Sequence, residues 1–234
     1  STRRTLQEMD TRYNLGQISQ LTLTQVKNGY DKVVASVPSL ETAIFTMKSS
    51  LQSLLGDTPN GQLTLTDTPT VTSVEVDSLR YEKDLEKAKK NSYTLYSSTR
   101  AVENAEDDMY DAQRDEGRNS YQYKMAEHTY QSAIYQNDAA IANFEVAFQN
   151  LYKAIAPAQA ALTTAETELA YQERLYAVAE LKHQLGNLSA NALQDAKDAM
   201  ENAKRDMLAR QLDLFTAYHS YQQAVELGLV NSGS

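Results

Sequence analysis

Leu15-Gly16-Gln17-Ile18-Ser19 returns 170 positions later as Leu185-Gly186-Asn187-Leu188-Ser189, and these two copies decide the fold. Each has the chemistry of a helix–turn–helix reversal. Glycine takes the left-handed backbone position that ends the incoming helix. Ile18 or Leu188 packs across the turn, and the hydroxyl of Ser19 or Ser189 caps the outgoing helix. The result is a tight αα-hairpin tip. Any helical hairpin needs some such turn. The duplicate matters because the frame that follows is kept without a gap: Leu23 matches Leu193, Val26 matches Ala196, Tyr30 matches Met200, Val37 matches Met207 and Leu51 matches Tyr221. Both copies run on to a glycine, Gly56 or Gly228.

Working outward from the tips, alternate steps of three and four from Leu23 meet Val26, Tyr30, Val33, Val37, Leu40, Ile44, Met47, Leu51 and Leu54. That is an unbroken apolar seam of the coiled-coil kind, and it predicts a helix over 19–55. Pro38 should kink it or cost it a backbone hydrogen bond. A short helix over 5–14 leads into the first tip. The segment 57–77 reads as non-helical: Pro59-Asn60-Gly61 is turn chemistry, and Leu63-Thr64-Leu65 and the stretch from Val71 to Val76 alternate as short strands do. Asp77 or Ser78 then offers a cap for a helix over 79–116 with a thinner seam of Leu85, Ala88, Leu95, Val102 and Met109, diluted by Ser92 and Thr99. Residues 117–120 are the next turn.

The longest helix is expected over 120–184. Its seam runs Ile134, Asn137, Ile141, Phe144, Phe148, Leu151, Ile155, Ala158, Leu162, Ala165, Leu169, Gln172, Tyr176, Ala179 and His183, with Pro157 as a bend. The last helix covers 189–227, with Leu193, Ala196, Met200, Ala203, Met207, Arg210, Leu214, Ala217, Tyr221 and Ala224 on its seam. The fold class is therefore all-α, built of long antiparallel helical hairpins of coiled-coil type in duplicate, with a short β or loop segment at 57–77. The sequence reads as a single elongated helical domain over 1–234: repeat one at 1–56 with its first helix truncated, a linker at 57–77, repeat two at 78–228 and a tail at 229–234.

Composition agrees. The 234 residues include only 8 Gly and 4 Pro, no Trp and no Cys, but 15 Tyr. A tyrosine has a wide apolar body and a wet tip, which suits a seam half shielded from water. The net charge of −9 disfavours nucleic acid and anionic lipid, both of which call for basic patches. Without cysteine there are no disulfides, thiolate chemistry or thiolate metal sites. No stretch approaches the roughly 20 apolar residues of a membrane-spanning helix. No signal peptide is visible, and the start at Ser1 is compatible with a removed leader.

No catalytic, cofactor-binding or metal-binding constellation emerges. His128, His183 and His219 are isolated, with no second ligand at metal spacing, so His183 beside the second tip reads as packing or capping. Glu103, Glu106, Asp107, Asp108, Asp111, Asp115 and Glu116 lie on several faces of one helix and read as a solvated surface rather than a cation loop. Tyr93, Tyr96, Tyr110, Tyr121, Tyr123, Tyr130 and Tyr135 read as half-exposed packing. The alternative is an aromatic patch for a sugar or a partner, with Tyr110 facing the neighbourhood of Tyr123 across the turn. Arg210 on the last seam should snorkel or pair with an acid.

Arg12-Tyr13-Asn14-Leu15-Gly16-Gln17-Ile18-Ser19 with its following seam to Leu54-Leu55-Gly56, and Leu185-Gly186-Asn187-Leu188-Ser189 with its run to Ala224-Val225-Glu226-Leu227-Gly228, resemble the TolC-type outer-membrane efflux proteins. The resemblance implies a non-enzymatic transport component of the cell envelope, outside the cytoplasm: helices paired into a homotrimeric tunnel, and tips that dock a periplasmic adaptor. It makes Leu15, Gly16, Ile18, Ser19, Leu185, Gly186, Leu188 and Ser189 the candidate partner-binding residues. The sequence departs from the family in three ways. Only residues 117–120 stand where the family carries its membrane strands, so no transmembrane barrel is expected from this chain. The first long helix is reduced to 5–14, either because the chain is a fragment or because a relative lost it. Thr22 and Ala192 stand where the family often has acidic residues at the tunnel mouth. The competing expectation is a structural or interaction module that keeps the hairpins and transports nothing.

Overall fold

The computed structural model describes residues 2–64 and 68–230. The chain divides into two units, Ser1–Thr68 and Pro69–Ser234. All regular structure among the described residues is helical.

The first unit holds α1 (Thr2–Asn14) and α2 (Gln20–Leu54), which pair across the first tip. Burial follows the short reach of α1. Leu23, Val26 and Tyr30 on α2 are half-buried, whereas from Val33 onward the same seam stands open, with Val33 49 % and Leu40 61 % exposed. α2 stays helical through Pro38. Its far end is closed by the loop that follows. Buried Gln52 accepts from the backbone N–H groups of Asn60 (3.1 Å) and Gly61 (2.9 Å) and donates to the Asn60 side chain (2.8 Å). Gly61 lies against the ring of Phe45, where a Cβ would come within 2.2 Å.

The second unit is built on α6 (Tyr121–Gln184), whose 64 residues extend about 100 Å at 1.5 Å per residue. Along α6 pack α5 (Tyr93–Glu116) and α7 (Ala190–Leu227), with α4 (Tyr81–Asn91) against both α6 and α7. The predicted seam of α6 is its inward face: every position from Ile134 to Ala179 is buried or half-buried, and only His183 at the end is exposed. The core lies where α4, α5, α6 and α7 meet, and comprises Leu85, Ala88, Leu95, Phe144, Phe148, Ile155, Leu214, Tyr221, Ala224 and Val225. Each fully buried large apolar side chain there stabilises the fold by roughly 1.5–3 kcal/mol. Rings of Tyr81, Phe148, Tyr152 and Tyr221 pack within 5.1–5.8 Å of one another. Inside this cluster the phenol of Tyr221 donates to Asp84 at 2.9 Å. Asp84 also accepts from the backbone N–H of Arg80 at 3.0 Å, tying the start of α4 to the middle of the core.

Four expectations are corrected. The helix predicted over 79–116 is two helices, broken at Ser92, which ends α4 and caps α5 with ψ at 112°. The end of α7 causes the break to be filled: Asn91 donates to the carbonyls of Val225 (3.1 Å) and Glu226 (2.9 Å), and Gly228 lies so close that a Cβ would meet the Ser92 nitrogen at 2.3 Å. The stretch from Val71 to Val76 is no strand. Thr72 and Glu75 form a capping box that starts a short helix, α3 (Ser73–Asp77). Asp77 and Ser78 therefore close α3 and cap nothing downstream; the next helix starts after Arg80, whose N–H is taken by Asp84. Leu63 and Thr64 belong to no regular element, and Leu65 lies outside the described residues.

Replacing Tyr221 with Phe removes one of the two donors to a half-buried carboxylate, so Y221F should lower unfolding stability by about 1–3 kcal/mol in urea titration. The same site sets an alkaline limit. Burial, and then the bond to Asp84, push the Tyr221 phenol well above its ordinary range, and the ion-paired hydrogen bond to Glu145 raises the Lys89 ammonium. Both groups stabilise the fold while protonated. Their contribution is full below the unfolded values near pH 10 and fades as pH rises through the folded ones. The urea midpoint should fall above roughly pH 10, and less steeply in Y221F.

Candidate functional site: the two hairpin tips

The two copies of the repeat fold alike, bond for bond. At the first tip Gln17 N–H donates to Arg12 O (2.8 Å) and Gly16 N–H to Tyr13 O (2.9 Å). At the second, Asn187 N–H donates to Lys182 O (2.8 Å) and Gly186 N–H to His183 O (2.9 Å). This paired pattern absorbs the last carbonyls of the incoming helix, and it requires a residue in the left-handed region. Gly16 has φ +70° and Gly186 has φ +74°. No neighbouring atom crowds either glycine, so the requirement is conformational and not steric.

The outgoing helices begin alike as well. Ser19 accepts from Thr22 N–H and Ser189 from Ala192 N–H, both at 3.2 Å. Ile18 and Leu188 are half-buried across the turn, whereas Leu15 and Leu185 are each 66 % exposed. The structure thus places the eight candidate residues in two equivalent sets: glycine and serine shape the backbone, the residue before serine fills the turn, and the leucine before glycine is presented to solvent. Thr22 and Ala192 occupy matching positions in the first turn of the outgoing helices, and neither tip carries an acid there.

The tips differ in two side-chain contacts whose partners the sequence pattern does not specify. The hydroxyls of Ser19 and Thr22 pair at 3.0 Å at the first tip, which the alanine at 192 cannot reproduce. At the second tip His183 Nδ1 lies 2.8 Å from Leu188 O. His183, expected to pack or to cap, reaches a carbonyl on the far side of the turn.

Two arginines outside the tips pair locally. Arg210 bonds Asp206 (3.3 Å) and Asp213 (3.1 Å), and Arg114 bonds Asp111 (2.8 Å) and Asp115 (2.9 Å) within the acidic stretch of α5. Phe215 stacks on His219. Among the tyrosines, Tyr93 and Tyr96 pair at 6.4 Å on an exposed face. The Tyr130 phenol is raised by loss of solvent and then by the neighbouring Glu106 carboxylate. Among the described residues no three His, Asp or Glu side chains gather as metal ligands would, and no helix is long and apolar enough to cross a membrane.

The solved structures contain a likeness. The outer membrane protein VceC from Vibrio cholerae superposes on this chain with a TM-score of 0.54 at 18 % identity, covering 96 % of this chain and 62 % of its own. The fold is TolC-like. The chain thus spans less than two thirds of VceC. No protein-family model and no curated protein sequence matches it.

If positive φ is what these turns require, G16A and G186A should each cost about 1 kcal/mol or more. S19A and S189A should each cost about 1 kcal/mol. Thermal melts of the full chain followed by circular dichroism would measure all four.

Proposed function

We propose that this chain is a non-enzymatic protein of the cell envelope, equivalent to the α-helical part of a TolC-type channel, and that its two hairpin tips are docking sites for a periplasmic adaptor. The observation that carries this reading is the duplication itself. A hairpin needs one workable turn; two tips that agree in every backbone bond, each presenting a bare leucine beside a left-handed glycine, suit a partner that reads the same shape twice. The outer membrane assignment of VceC supports the location, and the TolC-like fold supports the role. The sites are Leu15, Gly16, Ile18 and Ser19 at one tip, with Leu185, Gly186, Leu188 and Ser189 at the other.

Self-association belongs to the same proposal. Beyond the reach of α1, the seam of α2 exposes Val33, Val37, Leu40, Ile44 and Met47 in one line. A seam of that length in water needs a covering helix, and a homotrimer would supply it. A second reading, a structural or interaction module without transport, is favoured by the four-residue connection from α5 to α6, which leaves no room there for membrane strands.

Photo-crosslinking residues at Gln17 and Asn187 should capture one and the same envelope protein in the producing cell, while equivalents at Ser97 and Glu166 should not. Different partners at the two tips, or capture from the control positions alone, would sink the docking reading. Sedimentation equilibrium should show a trimer that L40K and I44K dissociate. A monomer across micromolar concentrations would remove the tunnel and favour the module.

A further inference from the structure

The two tips match in backbone but differ in how they are fastened. Position 183 of the second repeat corresponds to position 13 of the first, where the residue is Tyr13. His183 ends the seam of α6 and is exposed, and its Nδ1 lies 2.8 Å from the carbonyl oxygen of Leu188. A carbonyl can only accept, so the proton of this bond lies on Nδ1. The bond spans the turn. It ties the last turn of α6 to the residue just before the serine that caps α7. A tyrosine has no donor at the Nδ1 position, so Tyr13 cannot make it. The first tip carries instead the Ser19–Thr22 hydroxyl pair, which lies inside the outgoing helix and does not span the turn.

We infer that His183 is a positioning residue: it clamps the second tip across its turn and makes the two tips unequal in stiffness. The second tip then meets a partner already ordered, while the first keeps the freedom to adjust. Ordering a loop on binding costs affinity, so a clamped tip docks at lower cost than its twin. The value of the clamp to docking rests on the function proposed above, but the clamp itself stands or falls without any partner.

Amide exchange of the full chain, read at the turn amides Gly186 and Asn187, tests it. In H183F, which keeps a ring and loses the donor, protection at these amides should fall roughly three- to tenfold, the worth of one exposed hydrogen bond, with Gly16 and Gln17 unchanged. In Y13H the transplanted ring should raise protection at Gly16 and Gln17 by a similar factor. Nitrogen NMR of the neutral imidazole should show the His183 proton on Nδ1. Unchanged protection at Gly186 and Asn187 in H183F, no gain in Y13H, or a proton on Nε2 would each overturn the clamp. None of these readings depends on an adaptor, so their failure would leave the docking proposal to its own crosslinking test.

Discussion

A helix that ends must dispose of its last carbonyls, and in this chain a glycine in the left-handed region does so wherever a long helix turns back at a tip. The backbone bonds made around Gly16 and Gly186 reverse the chain without breaking the apolar seam on either side. Everything else follows from that economy. Because the turn takes only a few residues, the outgoing helix starts in register with the incoming one, and steps of three and four meet across the hairpin from their first residues. A looser connection would let the two helices slide, and the seams of α6 and α7 would lose their pairing.

Much of this was legible because its cause is local and periodic. The seam from Ile134 to Ala179 could be read from spacing alone, and each of its positions turned inward. The tips were legible because glycine and a capping serine carry their own conformational preferences. The break at Ser92 was not. Ser92 sits on a seam position, its neighbours favour helix, and what fits the gap is the end of α7 more than a hundred residues away, held by Asn91 and made possible by Gly228. Gln52 was hidden for a related reason: nothing in an isolated glutamine announces that a loop eight residues on will fold back over it. The short helix α3 is a different lesson. Val71 to Val76 alternates as a strand does, but Thr72 and Glu75 carry the three-residue spacing of a capping box, and over so short a stretch the cap prevailed over the alternation.

The candidate site divides in the same way. Which residues shape the tips could be read directly. How the tips differ could not, since a single ring nitrogen reaching a carbonyl across a turn leaves no periodic trace. The open seam of α2 follows from arithmetic: a helix of 13 residues cannot shield one of 35.

The contact between Tyr221 and Asp84 has a meaning beyond its strength. Apolar heptads are nearly indifferent to sliding by one repeat, since leucine for alanine or tyrosine for leucine still makes a greasy contact. A slip of α7 by seven residues would bring Leu214 or Gly228 to the place of Tyr221. Neither side chain can donate a proton, and half-buried Asp84 would lose its only donor from α7. One hydroxyl thus serves as a reading mark on an otherwise uniform scale, telling a long helix not merely to pack, but at which notch to stop.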